Sequence, residues 1–377
     1  MTALQIIDAA VSGRVLVSGS LPPEGRDLDL QVGASQREVV ERALLANGFV
    51  VRDRTWARFE PLELVDLEVV EDETMLARAT PLPGCAQVCR PDPADGLRLL
   101  AEAYVRDGRL TPSRRVRAVA SPEVWAEARS RDDSSALTAL SEALRSADPM
   151  PGFSRRVAGR VRRMRDAGVI TLSGVDGSGK STQAEQLRQT LTTAGFDAVI
   201  EWNRLSHDRW LDALARPVKR LTGSGSSNAT EPTGGSAEGT PRGVRTLWVV
   251  VVALANALAH NGSVRRHTLA GRVVICDRYT LDSVVQLRSD YPPGLGNRLG
   301  VAIVRALSPR PVASFYLAVP PEVATARKAW EGSDERLLRH ARGYDTECTR
   351  LRVQRIDATR PAATVAAEIA RETWRRI

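Results

Sequence analysis

The sequence predicts an α/β protein of two domains, in which a C-terminal parallel sheet flanked by helices follows a smaller α+β domain with a helical tail. The chain has 377 residues, which is long for one ordinary domain. Beyond residue 155, apolar strand-like segments alternate with helix-like segments, a pattern typical of parallel sheets. The proline-rich residues 149–152 follow neither period, so we expect domains at residues 1–150 and 155–377.

In the first domain, a Ser-x-x-Glu capping box at residues 35–38 predicts the start of a helix, and Asn-Gly at 47–48 predicts its end. Residues 62–70 are rich in valine and leucine and predict a strand. From residue 91 to about 145, alanine, leucine, glutamate and arginine recur at helical spacing. Prolines mark turns or first helical positions in this tail: Pro93, Pro112 and Pro122.

The second domain is predicted to begin with a strand at residues 169–173 and a helix that ends near residue 194. Further strands are predicted at 198–202, 273–276 and 313–318, with a helix at 247–259 and more helices at the C-terminus. Residues 222–243 contain so much glycine, serine and threonine that we expect a disordered insertion there.

The composition, with 43% hydrophobic and 26% charged residues, is that of a soluble globular protein. No apolar run reaches the roughly 20 residues that cross a bilayer, and the N-terminus lacks the positive charge of an export signal. We therefore expect a cytoplasmic protein with no membrane contact. The net charge is +8, but 50 of the 53 basic residues are arginines spread over the whole chain without interleaved aromatic residues. Nucleic acid is therefore not expected as a main partner.

The first chemical motif is GVDGSGKS at residues 174–181, which matches G-x-x-x-x-G-K-[ST] between a predicted strand and a predicted helix. Glycines let consecutive backbone N–H groups surround an anion at the positive end of the helix. We expect Lys180 to hold the β and γ phosphates of ATP and Ser181 to bind Mg²⁺. The predicted nucleotide-binding residues are Gly174, Asp176, Gly177, Ser178, Gly179, Lys180, Ser181 and Thr182.

The second motif is Asp277-Arg278-Tyr279, which follows an apolar segment. A strand that ends there places a carboxylate beside the metal and a guanidinium that can hold a phosphate through two hydrogen bonds. On its own, this tripeptide is also typical of an ion pair at the end of a strand. Together with the phosphate loop, it indicates a second phosphate site.

These two motifs, followed by SFYLAVPPEVATARK and RIDATRPAATVAAEI, have the order found in the thymidylate kinase family of P-loop nucleoside monophosphate kinases, which residues 168–377 resemble. The resemblance implies a P-loop NTPase fold and a lid that excludes water. It also implies that Arg278 binds the phosphate of the acceptor, that Asp277 assists the metal and that Asp176 contacts the sugar of the acceptor. The implied lid contains Arg327, Lys328, Arg336 and Arg339, although a solvated helix face would show the same arginines. The candidate catalytic residues are Lys180, Asp277, Arg278, Arg327 and Arg336.

Three positions depart from that family. Arg-Glu-Pro usually follows the second strand, where this chain offers only Arg204 as a partial substitute. Asn256 and apolar neighbours replace a helical arginine, and Gln286 replaces a tyrosine that crowds out a ribose 2′-hydroxyl. The phosphate-handling residues are retained and the base-reading residues are not, so the acceptor need not be dTMP.

Residues 15–32, VLVSGSLPPEGRDLDLQV, resemble the Gly-Ser turn and Asp-x-Asp strand of the nucleotidyltransferase fold. Asp27 and Asp29 are two residues apart and so share one face of a strand. Together with Asp66 they are candidate Mg²⁺ ligands. Only six residues separate the turn from the Asp-x-Asp pair, which is fewer than usual in that fold. A polar turn with two acids at a strand end is the alternative.

The combined expectation is a phosphotransferase that moves the γ-phosphoryl group of ATP to a nucleoside monophosphate, dTMP or a related phosphorylated acceptor, with ATP and Mg²⁺ as cofactors. Two alternatives stay open. One is nucleotidyl transfer by the first domain with the second domain as an ATP sensor. The other is a non-catalytic ATP-binding regulatory protein. A homodimer is one assembly open to such a chain.

Overall fold

The computed structural model describes residues 1–22, 25, 27–70, 72–108, 110–132, 135–145, 167–202, 242–327 and 334–377. The chain forms two compact units, Met1–Val161 and Arg162–Ile377, each with its own sheet and its own core. The residues between the two predicted domains, 151–154, lie outside the described ranges.

The first unit contains seven strands and seven helices in the part of the chain that the structure describes. The strands are β1 (Val15–Ser18), β2 (Leu28–Val32), β3 (Val50–Arg52), β4 (Thr55–Phe59), β5 (Leu62–Val69), β6 (Thr80–Pro81) and β7 (Val88–Arg90). The helices are α1 (Ala3–Ala10), α2 (Ala34–Ala46), α3 (Thr74–Arg78), α4 (Pro93–Asp107), α5 (Pro112–Arg117), α6 (Pro122–Arg131) and α7 (Ser135–Arg145). The strands form one mixed sheet in the order β3-β4-β5-β2-β1-β7-β6, so this unit combines a mixed sheet with a helical tail.

The helices α4, α5 and α6 of this tail begin where their prolines predicted. Each starts with proline after a residue whose side-chain oxygen accepts a backbone N–H from the first turn: Asp92, Thr111 and Ser121. The capping box predicted at residues 35–38 is wrong. Helix α2 begins at Ala34 after Gly33 and has no side-chain cap, because Ser35 already lies inside its first turn. The predicted end at Asn47 is correct.

Within its described residues, the second unit contains five parallel strands with helices between them. The strands are β8 (Val169–Ser173), β9 (Ala198–Trp202), β10 (Val273–Asp277), β11 (Ala313–Ala318) and β12 (Gln354–Asp357). The helices are α8 (Lys180–Thr193), α9 (Arg242–Leu269), α10 (Thr280–Asp290), α11 (Leu295–Leu307), α12 (Pro321–Arg327), α13 (Asp334–Leu351) and α14 (Ala362–Trp374). The strand order is β12-β11-β8-β10-β9, and every neighbouring pair is parallel. The predicted fold class, a parallel sheet flanked by helices as in P-loop NTPases, is confirmed.

The two strands that carry the chemical motifs are the most buried. All five residues of β8 and all five of β10 are buried, as expected for central strands of a parallel sheet covered on both faces. Helix α9 is longer than the predicted 247–259, because polar residues on both sides of the apolar run continue the helix. Of the predicted insertion, residues 222–241 lie outside the described ranges, and Arg242 and Gly243 begin α9.

Among the described residues, no helix is both long enough and apolar enough to cross a membrane.

Candidate functional site

The phosphate loop joins the end of β8 to the start of α8. All three of its glycines have positive φ angles that side chains rarely tolerate, +151° at Gly174, +84° at Gly177 and +90° at Gly179. A Cβ atom on Gly177 would lie 2.2 Å from the carbonyl oxygen of Ala324, so the loop packs closely against α12. A Cβ atom on Gly179 would meet nothing within 4 Å. The turn that precedes α8 is therefore open to a ligand at the positive end of that helix, a position suited to an anion.

Lys180 is the first residue of α8 and is buried. Its Nζ donates hydrogen bonds to the carbonyl oxygens of Gly174, at 2.9 Å, and Val175, at 2.8 Å. Burial lowers the pKa of Lys180, and the positive charge of Arg278 lowers this pKa further. A phosphate bound beside both cations would offset their repulsion, so the chemistry of this loop fits an anionic ligand.

Ser181 and Asp277 meet at the ends of β8 and β10. The Ser181 hydroxyl donates a hydrogen bond of 2.7 Å to Oδ2 of Asp277. Asp277 is only 2% exposed, and its other oxygen, Oδ1, is buried and accepts no hydrogen bond from the described residues. A hydroxyl beside a carboxylate with an unused oxygen is a donor set that suits Mg²⁺, which prefers oxygen ligands. The two residues predicted as metal ligands therefore fit the ion.

Arg278 follows Asp277 and has a φ angle of +75°, which is strained for a residue with a side chain. Its backbone N–H donates to the carbonyl oxygen of Leu172, at 3.1 Å. Its guanidinium forms an ion pair with Asp176 of the phosphate loop, so two residues that are 102 positions apart in the sequence meet in the site. This backbone geometry holds the guanidinium beside the loop.

The arginines of the predicted lid bond elsewhere in the second unit. Arg327, Arg336 and Arg339 donate, in that order, to the Ala358 carbonyl at 3.0 Å, the Asp290 carboxylate at 3.0 Å and the Ser289 carbonyl at 3.4 Å. The structure thus ties them to the turn after β12 and to the end of α10. Their catalytic role stays a prediction. Lys328, Arg204 and the side chain of Asn256 lie outside the described residues.

Known proteins resemble this chain over about half of its length. A protein named thymidylate kinase from Ectopseudomonas mendocina is 30% identical over 217 residues, which are 53% of this chain and 91% of that protein. The chain belongs to the thymidylate kinase family. Thymidylate kinase from Symbiobacterium thermophilum is 28% identical over 215 residues, 54% of this chain and 90% of its own length. Thymidylate kinase from Ruegeria pomeroyi is 29% identical over 168 residues, which are 44% of this chain and 71% of that protein.

No family model matches the chain. The membership in the thymidylate kinase family therefore rests on the pairwise similarities, which cover about half of this chain and support a nucleotide kinase activity.

Two further residues of the thymidylate kinase-like site belong to none of the predicted sets. Asp282 accepts hydrogen bonds from the Ser173 hydroxyl at 2.6 Å, the backbone N–H of Tyr279 at 2.9 Å and the Tyr344 hydroxyl at 2.7 Å. Burial lowers the pKa of Arg278, but the nearby groups, Asp282 first, outweigh burial and raise this pKa. Asp282 therefore supplies a buried negative charge that stabilises the charged arginine.

Trp202, the last residue of β9, is the other. Its Nε1–H donates a hydrogen bond of 2.7 Å to Oδ2 of Asp277, the same oxygen that accepts from Ser181. Asp282 had one weak signal in the sequence, its position three residues after Tyr279 at the start of a helix. For Trp202, the one signal in the sequence was its position at the end of a predicted strand.

The first unit brings together the three carboxylates that were predicted as a metal site. One oxygen from each of Asp27, Asp29 and Asp66 lies within 4.8 Å of the others. Sheet register explains this cluster, because Asp29 of β2 lies beside Asp66 of β5. Burial raises the pKa of Asp29 to about 6, and the charges of Asp27 and Asp66 contribute to this rise. Oxygens of this kind suit a divalent cation, and metal binding stays a prediction.

A cavity of about 460 Å³ opens beside Asp29 in the first unit. Arg90, Arg114 and Arg117 line it, together with residues of α4 and α6. Arg90 donates a hydrogen bond to the carbonyl oxygen of Gly19, and the charges of Arg114 and Arg117 partly offset the rise in the pKa of Asp29. A cavity of this volume can hold a small molecule, and carboxylates opposite arginines suit a phosphate that carries a cation.

Proposed function

We propose that the chain transfers the γ-phosphoryl group of ATP to a nucleoside monophosphate, dTMP or a related phosphorylated acceptor. The observation that supports this proposal best is the 2.7 Å hydrogen bond between Ser181 and Asp277, which lies at the start of the helix that also carries the buried Lys180. Membership in the thymidylate kinase family supports the same reaction class.

In this proposal, the phosphate loop and Lys180 bind the ATP phosphates, and Ser181 and Asp277 hold Mg²⁺. The ion would neutralise charge on the phosphate oxygens. An oxygen of the acceptor's phosphate attacks the γ-phosphorus, and the bond from that phosphorus to the β–γ bridging oxygen breaks. ADP leaves with the electron pair of this bond, and the acceptor gains a second phosphate.

Arg278 would bind the acceptor's phosphate, which requires a change of partner. Its guanidinium now pairs with Asp176. A phosphate dianion carries more negative charge than a carboxylate and can accept two parallel hydrogen bonds from arginine. The acceptor can therefore replace Asp176 and leave this carboxylate for the sugar hydroxyls. Arg327 and Arg336 would join the reaction only after they leave Ala358 and Asp290.

The test of this proposal is ADP release from Mg-ATP by the whole protein with dTMP, other nucleoside monophosphates and sugar phosphates. Lys180→Ala should lower acceptor-dependent ADP release by at least about 100-fold, because the charge on the phosphates loses its main counter-ion. Arg188→Ala is the matched control, since Arg188 lies on the same helix and pairs only with the exposed Glu185 among the described residues. ADP release that survives in Lys180→Ala would contradict the proposal.

ATP binding without acceptor-dependent turnover would favour the non-catalytic regulatory alternative. A cytoplasmic location and a homodimer stay predictions, which fractionation of cells and light scattering from the pure protein would test.

A second candidate function is nucleotidyl transfer by the first unit, which the carboxylate cluster beside the cavity favours. In that reaction the acceptor attacks the α-phosphorus of a nucleoside triphosphate, and pyrophosphate leaves. Acceptor-dependent release of pyrophosphate that disappears in Asp27→Asn with Asp29→Asn would support this function. Pyrophosphate release that is absent from the unaltered chain would count against it.

A further inference from the structure

Asp282 is a buried carboxylate of the second unit that takes no part in the proposed steps of phosphoryl transfer. It is the third residue of α10 and is 6% exposed. Its Oδ2 accepts hydrogen bonds from the Ser173 hydroxyl and the backbone N–H of Tyr279, and its Oδ1 accepts one from the Tyr344 hydroxyl. The end of β8, the start of α10 and the helix α13, which are distant in the sequence, therefore meet at one side chain.

The backbone beside this carboxylate is strained. Arg278 has a φ angle of +75°, which costs free energy in a residue with a side chain and persists only where surrounding contacts hold it. Its own N–H donates to the carbonyl oxygen of Leu172 at 3.1 Å. The next N–H along the chain, that of Tyr279, donates to Asp282 at 2.9 Å. Asp282 therefore holds the peptide that follows the strained arginine.

The same carboxylate oxygen is also bonded to the start of the phosphate loop. Ser173 is the last residue of β8 and directly precedes Gly174, the first residue of the loop. Its hydroxyl donates to Oδ2 of Asp282 at 2.6 Å, in a place where Ser173 itself is only 1% exposed. The turn of Arg278 and the start of the phosphate loop are thus held by one oxygen atom.

Tyr344 of α13 holds the other oxygen of Asp282. The tyrosine is 3% exposed, and its ring is stacked on that of Tyr316 in β11, with centroids 5.4 Å apart and planes 11° apart. A buried and stacked ring has little freedom to move, so its hydroxyl donates in a fixed direction. Because both oxygens are occupied, Asp282 cannot turn away from the Arg278 turn without losing hydrogen bonds.

We propose that Asp282 is a positioning residue for phosphoryl transfer, which holds the turn of Arg278 against the end of β8 and so sets the direction of the guanidinium relative to the phosphate loop. This inference rests on the proposed function, in which Arg278 binds the acceptor's phosphate. An arginine holds a phosphate through two parallel hydrogen bonds, so its affinity depends on its direction. Asp282 acts through Arg278 and not by contact with a substrate.

The experiment is a calorimetric titration of the whole protein with dTMP, and in the same way with AMP, GMP and CMP. Mg²⁺ and the β,γ-imido analogue of ATP are present, so that the ATP site is filled without transfer. Asp282→Asn should weaken mononucleotide binding by roughly 10- to 100-fold, the range of one charge-assisted hydrogen bond. Binding of the ATP analogue alone should change less than about threefold, because β8 is held in the sheet by strands on both sides.

Two milder variants keep the test decisive if Asp282→Asn does not fold. Ser173→Ala and Tyr344→Phe each remove one hydroxyl from the carboxylate and leave Asp282 in place. Each should weaken mononucleotide binding by roughly 2- to 10-fold, the range of one neutral hydrogen bond. Unchanged mononucleotide binding in both variants would overturn the inference.

Glu347→Gln is the matched control for a purely structural role. Glu347 is also a buried carboxylate, 3% exposed, and it joins the same two helices, α13 and α10, through an ion pair with Arg288. Its replacement should lower the free energy of unfolding, because it leaves a buried group without its ionic partner. Mononucleotide binding in Glu347→Gln should stay within about threefold of that of the unaltered chain.

A double substitution tests whether Asp282 acts through Arg278. Lysine binds phosphate as a point charge on a flexible stem and lacks the directed pair of donors. In the Arg278→Lys chain, the further change Asp282→Asn should therefore alter mononucleotide binding by less than about threefold. Equal effects of Asp282→Asn in the unaltered chain and in Arg278→Lys would overturn the inference.

The remaining outcomes separate this inference from the kinase reaction. A loss of mononucleotide affinity in Asp282→Asn that is no larger than in Glu347→Gln would overturn the inference, and ADP release with a mononucleotide would still support the kinase reaction. The expected loss in a protein that releases no ADP would support the inference and contradict the kinase reaction. If none of the mononucleotides binds the unaltered protein, both proposals are wrong.

Discussion

Around the phosphate loop of the second unit, carboxylates lie against donors, whereas three carboxylates of the first unit lie against one another. Asp176 pairs with Arg278, and Asp277 accepts hydrogen bonds from Ser181 and Trp202. Asp27, Asp29 and Asp66 instead form a close cluster in which the pKa of Asp29 rises to about 6. The carboxylates around the phosphate loop thus have donors before a ligand binds, whereas the carboxylate cluster of the first unit contains repulsion that a bound cation would relieve.

This difference has a consequence for stability. Removal of a negative charge should destabilise the second unit around the phosphate loop and stabilise the first unit around the carboxylate cluster. Four Asp→Asn substitutions, which preserve side-chain shape, test the contrast.

The largest effect is expected for Asp277→Asn. The amide oxygen can still accept from Ser181 and Trp202, so the fold should persist, but the charge beside the proposed metal position is lost. We expect kcat for acceptor-dependent ADP release to fall by about 100- to 1000-fold. Glu185→Gln, on the exposed face of α8, is the control and should change kcat less than about twofold. Nearly unaltered kcat in Asp277→Asn would remove Asp277 from the reaction.

Asp282→Asn should lower the free energy of unfolding of the second unit by about 2–4 kcal/mol, because Asp282 is a buried charge with three hydrogen-bond donors and a cationic neighbour. Urea denaturation measures this change. Asp197→Asn removes one exposed ion pair with Arg272 and should cost less than about 1 kcal/mol. Equal losses of unfolding free energy in the two variants would show that the buried charge of Asp282 contributes no more to stability than an exposed ion pair.

Asp29→Asn should act in the opposite direction. The folded pKa of Asp29, about 6, is above its ordinary value of 3.8, so the stability it contributes is present below pH 4 and is lost as the pH rises through 6. Without metal at pH 8, replacement of the ionised group should therefore raise the free energy of unfolding of the first unit by about 1–3 kcal/mol. At pH 4 the change should be small.

Asp72→Asn is the matched control for this prediction. The Thr74 hydroxyl lowers the pKa of Asp72, so the loss of this charge should lower the free energy of unfolding at pH 8. Destabilisation of the first unit at pH 8 by both substitutions would contradict the picture of a repulsive cluster.

The smallest effect is expected for Asp176→Asn. Its ion pair with Arg278 is about one-third exposed on each side, so the unfolding free energy should fall by at most about 1 kcal/mol. Acceptor affinity should change more than stability, since Arg278 loses its partner in the free protein. Thermal unfolding and acceptor titration separate the two effects. A larger loss of stability in Asp176→Asn than in Asp282→Asn would show that Asp176, and not Asp282, is the carboxylate that stabilises the second unit.

The parts of the protein that could be predicted are those encoded by neighbouring residues. The phosphate loop is contiguous, so its glycines, Lys180 and Ser181 could be identified from spacing. Apolar runs before each of the two motifs identify β8 and β10 with nearly correct ends. The prolines at 93, 112 and 122 identify helix starts because each follows a capping side chain. The predicted capping box at Ser35 is wrong because a residue type that favours helix starts can also lie inside a helix, as Ser35 does in the first turn of α2.

The unpredicted parts depend on contacts between distant segments. Trp202 reaches Asp277 across 75 positions, and Tyr344 reaches Asp282 across 62. These pairs follow from the strand order, in which β9 and β10 are neighbours, and from the packing of α13 on α10. The bonds of Arg327 and Arg336 to Ala358 and Asp290 are equally non-local. Composition and spacing contain no information about such partners.

The most direct test of the account follows two labels of ATP. The whole protein is incubated with Mg²⁺, nucleoside monophosphates and ATP labelled either at the γ-phosphate or at the α-phosphate, alongside Lys180→Ala and the double variant Asp27→Asn with Asp29→Asn. The proposed kinase reaction predicts that the γ label appears on the acceptor, that Lys180→Ala abolishes this transfer and that the double variant retains it. Transfer of the α label instead, or γ transfer that persists in Lys180→Ala, would contradict it.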